Sequence, residues 1–281
     1  MTSFFTPFDI LMKKADPIYN EMNDITAAYI YAVPDVSIRK FIPPPLELAE
    51  PVLLIMYVSS IKKPTFSEAY MEGGIGVITN LEGKTGQYYF NLQLSGQGAQ
   101  NAAFFGREEA GLPKKFADSI RLQRIRDRVF FHIERNGVRL LDAHIKTGSY
   151  NDHNFSNGLE NLDPSVGLLQ EGAVFTHRYS SGDGGIQNMQ VYYYDSPTFF
   201  CQYELAYARV KLQSSLYDPW GEIKIEKILG GAYAKCNNYV IDVKSIYSYP
   251  DEEAVSIMQY LWAGRFDPLV GRRGCETPFY C

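Results

Sequence analysis

Residues 52–60 form a nearly unbroken apolar run, whereas residues 88–94 alternate large apolar with polar side chains. The first pattern predicts a strand covered on both faces and the second a half-buried one. The clearest hairpin lies within residues 128–146, where Asn136-Gly137 offers the two positive-φ residues of a type I′ turn between alternating apolar positions. Further strands are expected over 189–194, 203–213 and 222–229. Helical periodicity is rarer. Asp35 can cap a short helix over Val36–Phe41, which must stop before Pro43-Pro44-Pro45. Residues 107–110 suit a single turn ended by Gly111. Over 250–263, Pro250 and three successive acids open a helix whose apolar stripe is Ala254, Ile257, Met258, Leu261 and Trp262. The pattern predicts an α+β chain, predominantly antiparallel β, with a helix laid over the sheet near its C-terminal end.

At 281 residues and 46% hydrophobic content, the chain can bury a substantial core, and we read residues 1–281 as one domain. Residues 265–281, rich in Gly, Arg and Pro, are expected to form either a tail or an arm gripping a neighbouring subunit. A net charge of -5 argues against a general nucleic-acid binder. No apolar run approaches the ~18 residues of a membrane span, and no secretory leader is evident, so a cytoplasmic, soluble protein is expected. The four cysteines show no C-x-x-C spacing and read as reduced structural thiols.

The chemistry concentrates in residues 105–116, Phe-Gly-Arg-Glu-Glu-Ala-Gly-Leu-Pro-Lys-Lys-Phe, where Lys114 and Lys115 follow a proline in apolar company. A lysine amine attacks a carbonyl only when uncharged, yet an ordinary lysine titrates near ~10.4. Poising it at neutrality requires lowering that value by roughly 3 to 4, on the order of 4 to 5 kcal/mol. A second ammonium about 6 Å away contributes roughly 2.8 kcal/mol at an effective dielectric of ~20. Burial alone can supply the whole shift. In an extended segment Lys114 and Lys115 also project to opposite faces, so desolvation should be the larger effect. Phe104, Phe105, Leu112, Pro113 and Phe116 are the nearby apolar residues expected to provide it. The competing reading of any Lys-Lys pair is a solvated surface turn.

This Gly-Arg-Glu run followed by Pro-Lys-Lys resembles the active-site segment of the acetoacetate decarboxylase family, for which lysine activation by burial or by a neighbouring cation is already known. Residues 38–51, with their Pro-x-Pro-Leu and Glu-Pro stretch, are also similar to that family, as is Ala69-Tyr70-Met71-Glu72-Gly73-Gly74. The resemblance implies a closed β-barrel or cone flanked by smaller sheets and a few helices, in a homo-oligomer. It implies Lys114 as Schiff-base nucleophile, Lys115 as a secondary aid and Glu72 as the acid that orients substrate or manages protons. Glu72 otherwise reads as an exposed acid beside a Gly-Gly turn. Arg107, with Phe105 and Phe116, is a candidate for substrate binding, though Arg107 can equally pair with Glu108 or Glu109. Where the decarboxylases carry an arginine and a further glutamate, an ungapped alignment puts Asp24 and Met56.

The expected activity is a cofactor-independent lyase decarboxylating a β-keto acid through a lysine iminium. The alternatives are an aldolase-dehydratase using the same lysine, or a non-catalytic small-molecule binder. No metal or organic cofactor is expected, and the partner is a keto acid or related carbonyl compound. Other constellations fail on spacing. Gly83-Lys84-Thr85 lacks the earlier glycine of a phosphate loop, and His132, His144, His153 and His177 show no ligand spacing. Arg121, Arg124, Arg126 and Arg128 would share a cationic stripe, the last three on one face of a strand, solvated or at an interface rather than an anion site.

Overall fold

Long antiparallel ladders dominate the computed structural model, which describes residues 5, 7–8, 20–183 and 185–267. In chain order the strands are β1 (Glu21–Pro34), β2 (Glu47–Leu48), β3 (Leu54–Pro64), β4 (Tyr70–Leu81), β5 (Lys84–Ser95), β6 (Lys114–Phe116), β7 (Ser119–Ile125), β8 (Arg128–Arg135), β9 (Val138–Thr147), β10 (Leu168–Gln170), β11 (Ala173–Gly182), β12 (Gly185–Asp195), β13 (Thr198–Leu212), β14 (Ile225–Tyr239) and β15 (Asp242–Ser248). They form one sheet ordered β15-β12-β11-β5-β4-β3-β1-β14-β13-β9-β8-β7, with β10 on β13, β2 on β4 and β6 on β5. Two pairings are parallel, and both fall on β5: β11 takes residues 87–88 and β6 takes 92–94.

The expected closed barrel is not what the ladders form. Among the described residues no ladder joins β7 to β15, so the sheet is open. It curls until distant strands meet through side chains instead. Ile133 of β8 packs so tightly over Gly73 of β4 that a Cβ there would sit 2.5 Å from the Ile133 Cδ1. Val129, Phe131 and Ile133 consequently share a core with Leu54, Val58 and Ile75.

Alternation sorts the central strands onto two cores. Met56, Val58, Ile75 and Val77 enter the larger one, whereas Tyr57, Ile61, Leu92 and Leu94 enter a smaller one on the other face. Coverage on both faces explains the unbroken apolar run at 52–60. Helix α1 (Ala99–Phe104) closes the smaller core with Ala99, Ala102 and Ala103, whose short side chains let its backbone approach closely. Helix α2 (Asp251–Arg265) covers the larger core through Ala254, Ile257, Met258 and Leu261; Trp262, assigned to the same stripe from sequence, is 46% exposed.

Asn136 and Gly137 have φ of 52° and 71°, as a type I′ turn requires. Asp35 caps the turn over Val36–Phe41 by accepting from the Ser37 amide at 2.9 Å, but that turn is 3-10 rather than α. The arginine stripe is broken, because Arg126 has φ 56° between β7 and β8, and Arg124 pairs with Glu204. Of residues 265–281, Arg265 ends α2, Phe266 packs its ring on Trp262 and Asp267 joins an ion network; residues 268–281 of the expected tail or arm, with Cys275 and Cys281, lie outside the described residues.

Candidate active site

Strand β6 is three residues long, and alternation splits its two lysines between the faces of the sheet. Lys114 pairs in register with Leu92 and turns toward the smaller core; Lys115 pairs with Gln93 and turns the other way. Both are 4% exposed. The surface-turn reading of Lys-Lys is therefore set aside, and burial of each amine is the decisive feature of the segment.

The Lys114 Nζ lies 3.0 Å from Glu72 Oε2 and donates to the Ala102 carbonyl at 3.4 Å. Glu72 is only 7% exposed, because Gly73 and Gly74 sit inside β4 rather than at a turn. At Gly74 a Cβ would lie 2.4 Å from Leu92 and 2.9 Å from the Tyr57 ring, so this glycine lets both groups close around the carboxylate. Tyr57 donates its hydroxyl to Glu72 Oε1 at 2.8 Å. Burial, and then the Glu72 charge, push the Tyr57 phenol well above its ordinary range, so it is a neutral donor at neutral pH. The Tyr70 ring centre lies 5.9 Å from Nζ, and burial followed by Glu72 raises its phenol as well.

The shielding differs from the expected set. Phe104 and Phe116 are 49% and 46% exposed and do not enclose the amine. Of that set Leu112 packs against the smaller core, whose Leu92, Leu94, Ala102 and Ala103 line that side of the sheet, and Gly106 lies against the end of the Lys114 side chain. A Cβ on Gly106 would fall 2.6 to 2.8 Å from the last two carbons and the nitrogen of Lys114. Gly106 sits in a π-helical turn, Phe105–Glu109, that continues α1 before Gly111, at φ 72°, reverses the chain toward β6. Phe105 stacks on Phe66, with ring centres 5.1 Å apart. Arg107 pairs with Glu108 and donates to the Arg265 carbonyl, away from Lys114.

Lys115 belongs to a four-charge cluster. Its amine lies 3.1 Å from Asp218 and 3.1 Å from Asp267, while Arg135 donates to the same two carboxylates at 2.6 and 2.7 Å. Burial alone would raise Asp267, but hydrogen bonds from Arg135 and Lys115 hold it below the usual carboxylate range. The cluster ties β6, β8, the segment before residue 220 and the end of α2 together. Asp218 also borders a cleft of about 350 Å³ floored by Ile75, Phe90 and Asn91, on the sheet face opposite Lys114.

Asp24 and Met56, aligned from sequence with family pocket positions, lie elsewhere. A bulge between Met22 and Ile25 leaves Asp24 at φ 55° with its side chain half exposed near Lys63. Met56 is fully buried in the larger core. The residue that alternation turns inward is its neighbour Tyr57, which sequence reasoning missed although it is the one hydroxyl-bearing ring in the run at 52–60. No group of His, Cys, Asp and Glu among the described residues is arranged to hold a metal ion.

Fold and site together are a curled antiparallel sheet with an amine and a carboxylate paired 3.0 Å apart and buried among apolar residues on one face. The chain belongs to the acetoacetate decarboxylase family, whose profile matches residues 10–249. It is 30% identical over 257 residues to a CLA biosynthesis isomerase from Lactiplantibacillus plantarum, covering 89% of each chain. Among solved structures it resembles an acetoacetate decarboxylase from Legionella pneumophila, with a TM-score of 0.70 and 17% identity over 89% of this chain and 99% of that one. It also resembles the enduracididine biosynthesis enzyme MppR complexed with pyruvate, with a TM-score of 0.63 and 12% identity over 89% and 94% of the two chains. No helix among the described residues is long and apolar enough to cross a membrane.

Proposed function

We propose that this protein is a Schiff-base enzyme in which the Lys114 amine condenses with the carbonyl of a ketone and the resulting iminium draws electrons from a bond one carbon away. The buried Lys114–Glu72 pair, 3.0 Å apart, carries this reading. Two opposite charges taken out of water gain little stability for the fold, so their retention points to chemistry. Glu72 can accept the ammonium proton, freeing the amine to attack; that proton and one from the amine then leave with the carbonyl oxygen as water. Neither step needs a metal or an organic cofactor.

We take the bond that breaks to be C–H. Glu72 removes a proton from the carbon beside the iminium of a β,γ-unsaturated ketone, the electron pair spreads into a dienamine, and protonation at the far carbon followed by hydrolysis releases the conjugated ketone. Two observations favour this isomerisation. A relative 30% identical over 89% of each chain is an isomerase, whereas the decarboxylase likeness, at 17% identity, speaks to fold alone. Among the described residues, moreover, no arginine or second lysine contacts Lys114, Glu72 or Tyr57 to hold a substrate carboxylate. Decarboxylation of a β-keto acid, by loss of CO2 from the same iminium, is the second reading, and the family membership favours it. We further read the chain as one domain acting in the cytoplasm as a homo-oligomer.

Borohydride reduction with a panel of unsaturated ketones and keto acids, followed by intact mass and peptide mapping, tests the reading. A single adduct on the Lys114 peptide is expected, and a panel that leaves that peptide unmodified overturns it. Conjugation absorbance against CO2 release then separates the two reactions.

A further inference from the structure

The two oxygens of Glu72 face different partners. Oε2 lies against the Lys114 nitrogen at 3.0 Å, and Oε1 accepts the Tyr57 hydroxyl at 2.8 Å, so one carboxylate joins an amine to a phenol through two short contacts. Tyr57 is 8% exposed and is held between Tyr29 and Tyr89, with both ring centres 6.1 Å from its own. Its position is therefore fixed by packing on two sides and by the hydrogen bond at its tip.

Removal of a C–H proton beside the iminium at Lys114 leaves Glu72 protonated and an enamine that must regain a proton on carbon. Glu72 has its protonatable oxygen Oε2 beside the nitrogen, where it served imine formation. We propose that Tyr57 is a further catalytic residue, the donor that protonates the enamine carbon. The phenolic proton passes to carbon as the C=C electron pair forms the new C–H bond, and the nitrogen lone pair restores the iminium. In the same event the phenolic oxygen takes the proton that Glu72 had acquired, along the 2.8 Å hydrogen bond, and Glu72 returns to a carboxylate. Protons and electrons balance within the triad, with no external acid. Because burial disfavours a free phenolate, the two transfers are concerted rather than stepwise.

This inference rests on the imine reading and on Glu72 having taken the C–H proton; after loss of CO2 Glu72 would be ionised, and the proton delivered by Tyr57 would have to be replaced from water. Its test is Tyr57→Phe, which keeps the ring packing and removes the hydroxyl. Borohydride trapping at Lys114 should stay within about twofold of the parent, while turnover falls by roughly 10²- to 10⁴-fold, the usual worth of a positioned acid. Uptake of solvent deuterium at the protonated carbon should fall in step with turnover. A variant that turns over within about threefold of the parent overturns the role of Tyr57 while leaving the imine intact. A parallel loss of trapping and turnover also overturns it, because Tyr57 would then serve only the architecture of the pair. A parent protein that forms no adduct overturns the imine reading, and this role with it.

Discussion

Lys114 and Lys115 are neighbours in sequence, equally buried, and opposite in what surrounds them. The amine of Lys114 meets one carboxylate, one carbonyl and an apolar wall on one face of the sheet. That of Lys115 meets two carboxylates, which it shares with Arg135, plus the Tyr217 carbonyl on the other face. The first site is a single pair that can come apart by moving one proton. The second is a crossed network of two cations and two anions, in which each charge is held by more than one partner. Burial by itself therefore does not mark a reactive lysine; what distinguishes the two is how many counter-charges would have to be abandoned when the amine becomes neutral.

The sharpest way to break this contrast is to remove each lysine in turn. Lys114→Arg keeps a cation against Glu72 but loses the nucleophile, so borohydride adducts should vanish and turnover should fall by about 10⁴-fold or more, leaving the unfolding midpoint near that of the parent. Mass spectrometry of the reduced protein and denaturant titration read the two halves of that statement. Lys115→Ala should do the reverse. It leaves Asp218 and Asp267 facing Arg135 alone, at a cost of about 3 to 5 kcal/mol in urea unfolding, while the fraction that stays folded still forms the Lys114 adduct. A Lys115 variant that keeps its stability and loses the adduct would make Lys115 part of the chemistry after all.

Gly106→Ala sharpens the comparison at smaller scale. The atoms nearest the added methyl are the end of the Lys114 side chain, which must shift within its buried pair with Glu72, at a cost of about 1 to 3 kcal/mol. The displaced amine should also lower turnover by up to about 100-fold, since near-ångström misplacement of a reacting group is that costly. Unchanged kinetics would show that the close approach is not what positions the amine.

The smallest effect on turnover is expected at His177, behind the same segment. Burial, and then Arg265, push its imidazole down to about 3, so the folded protein keeps it neutral. Once unfolded it takes up a proton near its ordinary 6.5. Stability from this group is complete above pH 6.5 and should fall by about 1.4 kcal/mol per pH unit between there and about 3. His177→Asn should flatten that slope by one proton, as read from urea midpoints between pH 6 and 4.

Local pattern carried much of the architecture. The β8–β9 hairpin was written in Asn136-Gly137, and the Asp35 cap and the helix after Pro250 were written in their end residues, because each depends on a few neighbours in sequence. Strand β1 and helix α1 were missed, since their residues take structure from strands and side chains far away along the chain. Period-two alternation was enough to put Lys114 and Lys115 on opposite faces. It did not say which face was apolar. The bulge that displaces Asp24 defeated an ungapped alignment, and with it the assignment of Met56 in place of Tyr57.

That Glu72 would accompany the lysine was implied only by the family resemblance; the sequence by itself determined that a lysine would follow a proline in a short extended segment and that the chain would be mostly antiparallel strand. These follow from residue type, spacing and side-chain alternation, which act over a few residues. Only the tertiary structure decided that Glu72 and Tyr57 converge on one amine while Asp218, Asp267 and Arg135 capture the next. Those contacts join residues up to 152 positions apart, and they depend on how strands register and how the sheet curls, quantities no local pattern encodes.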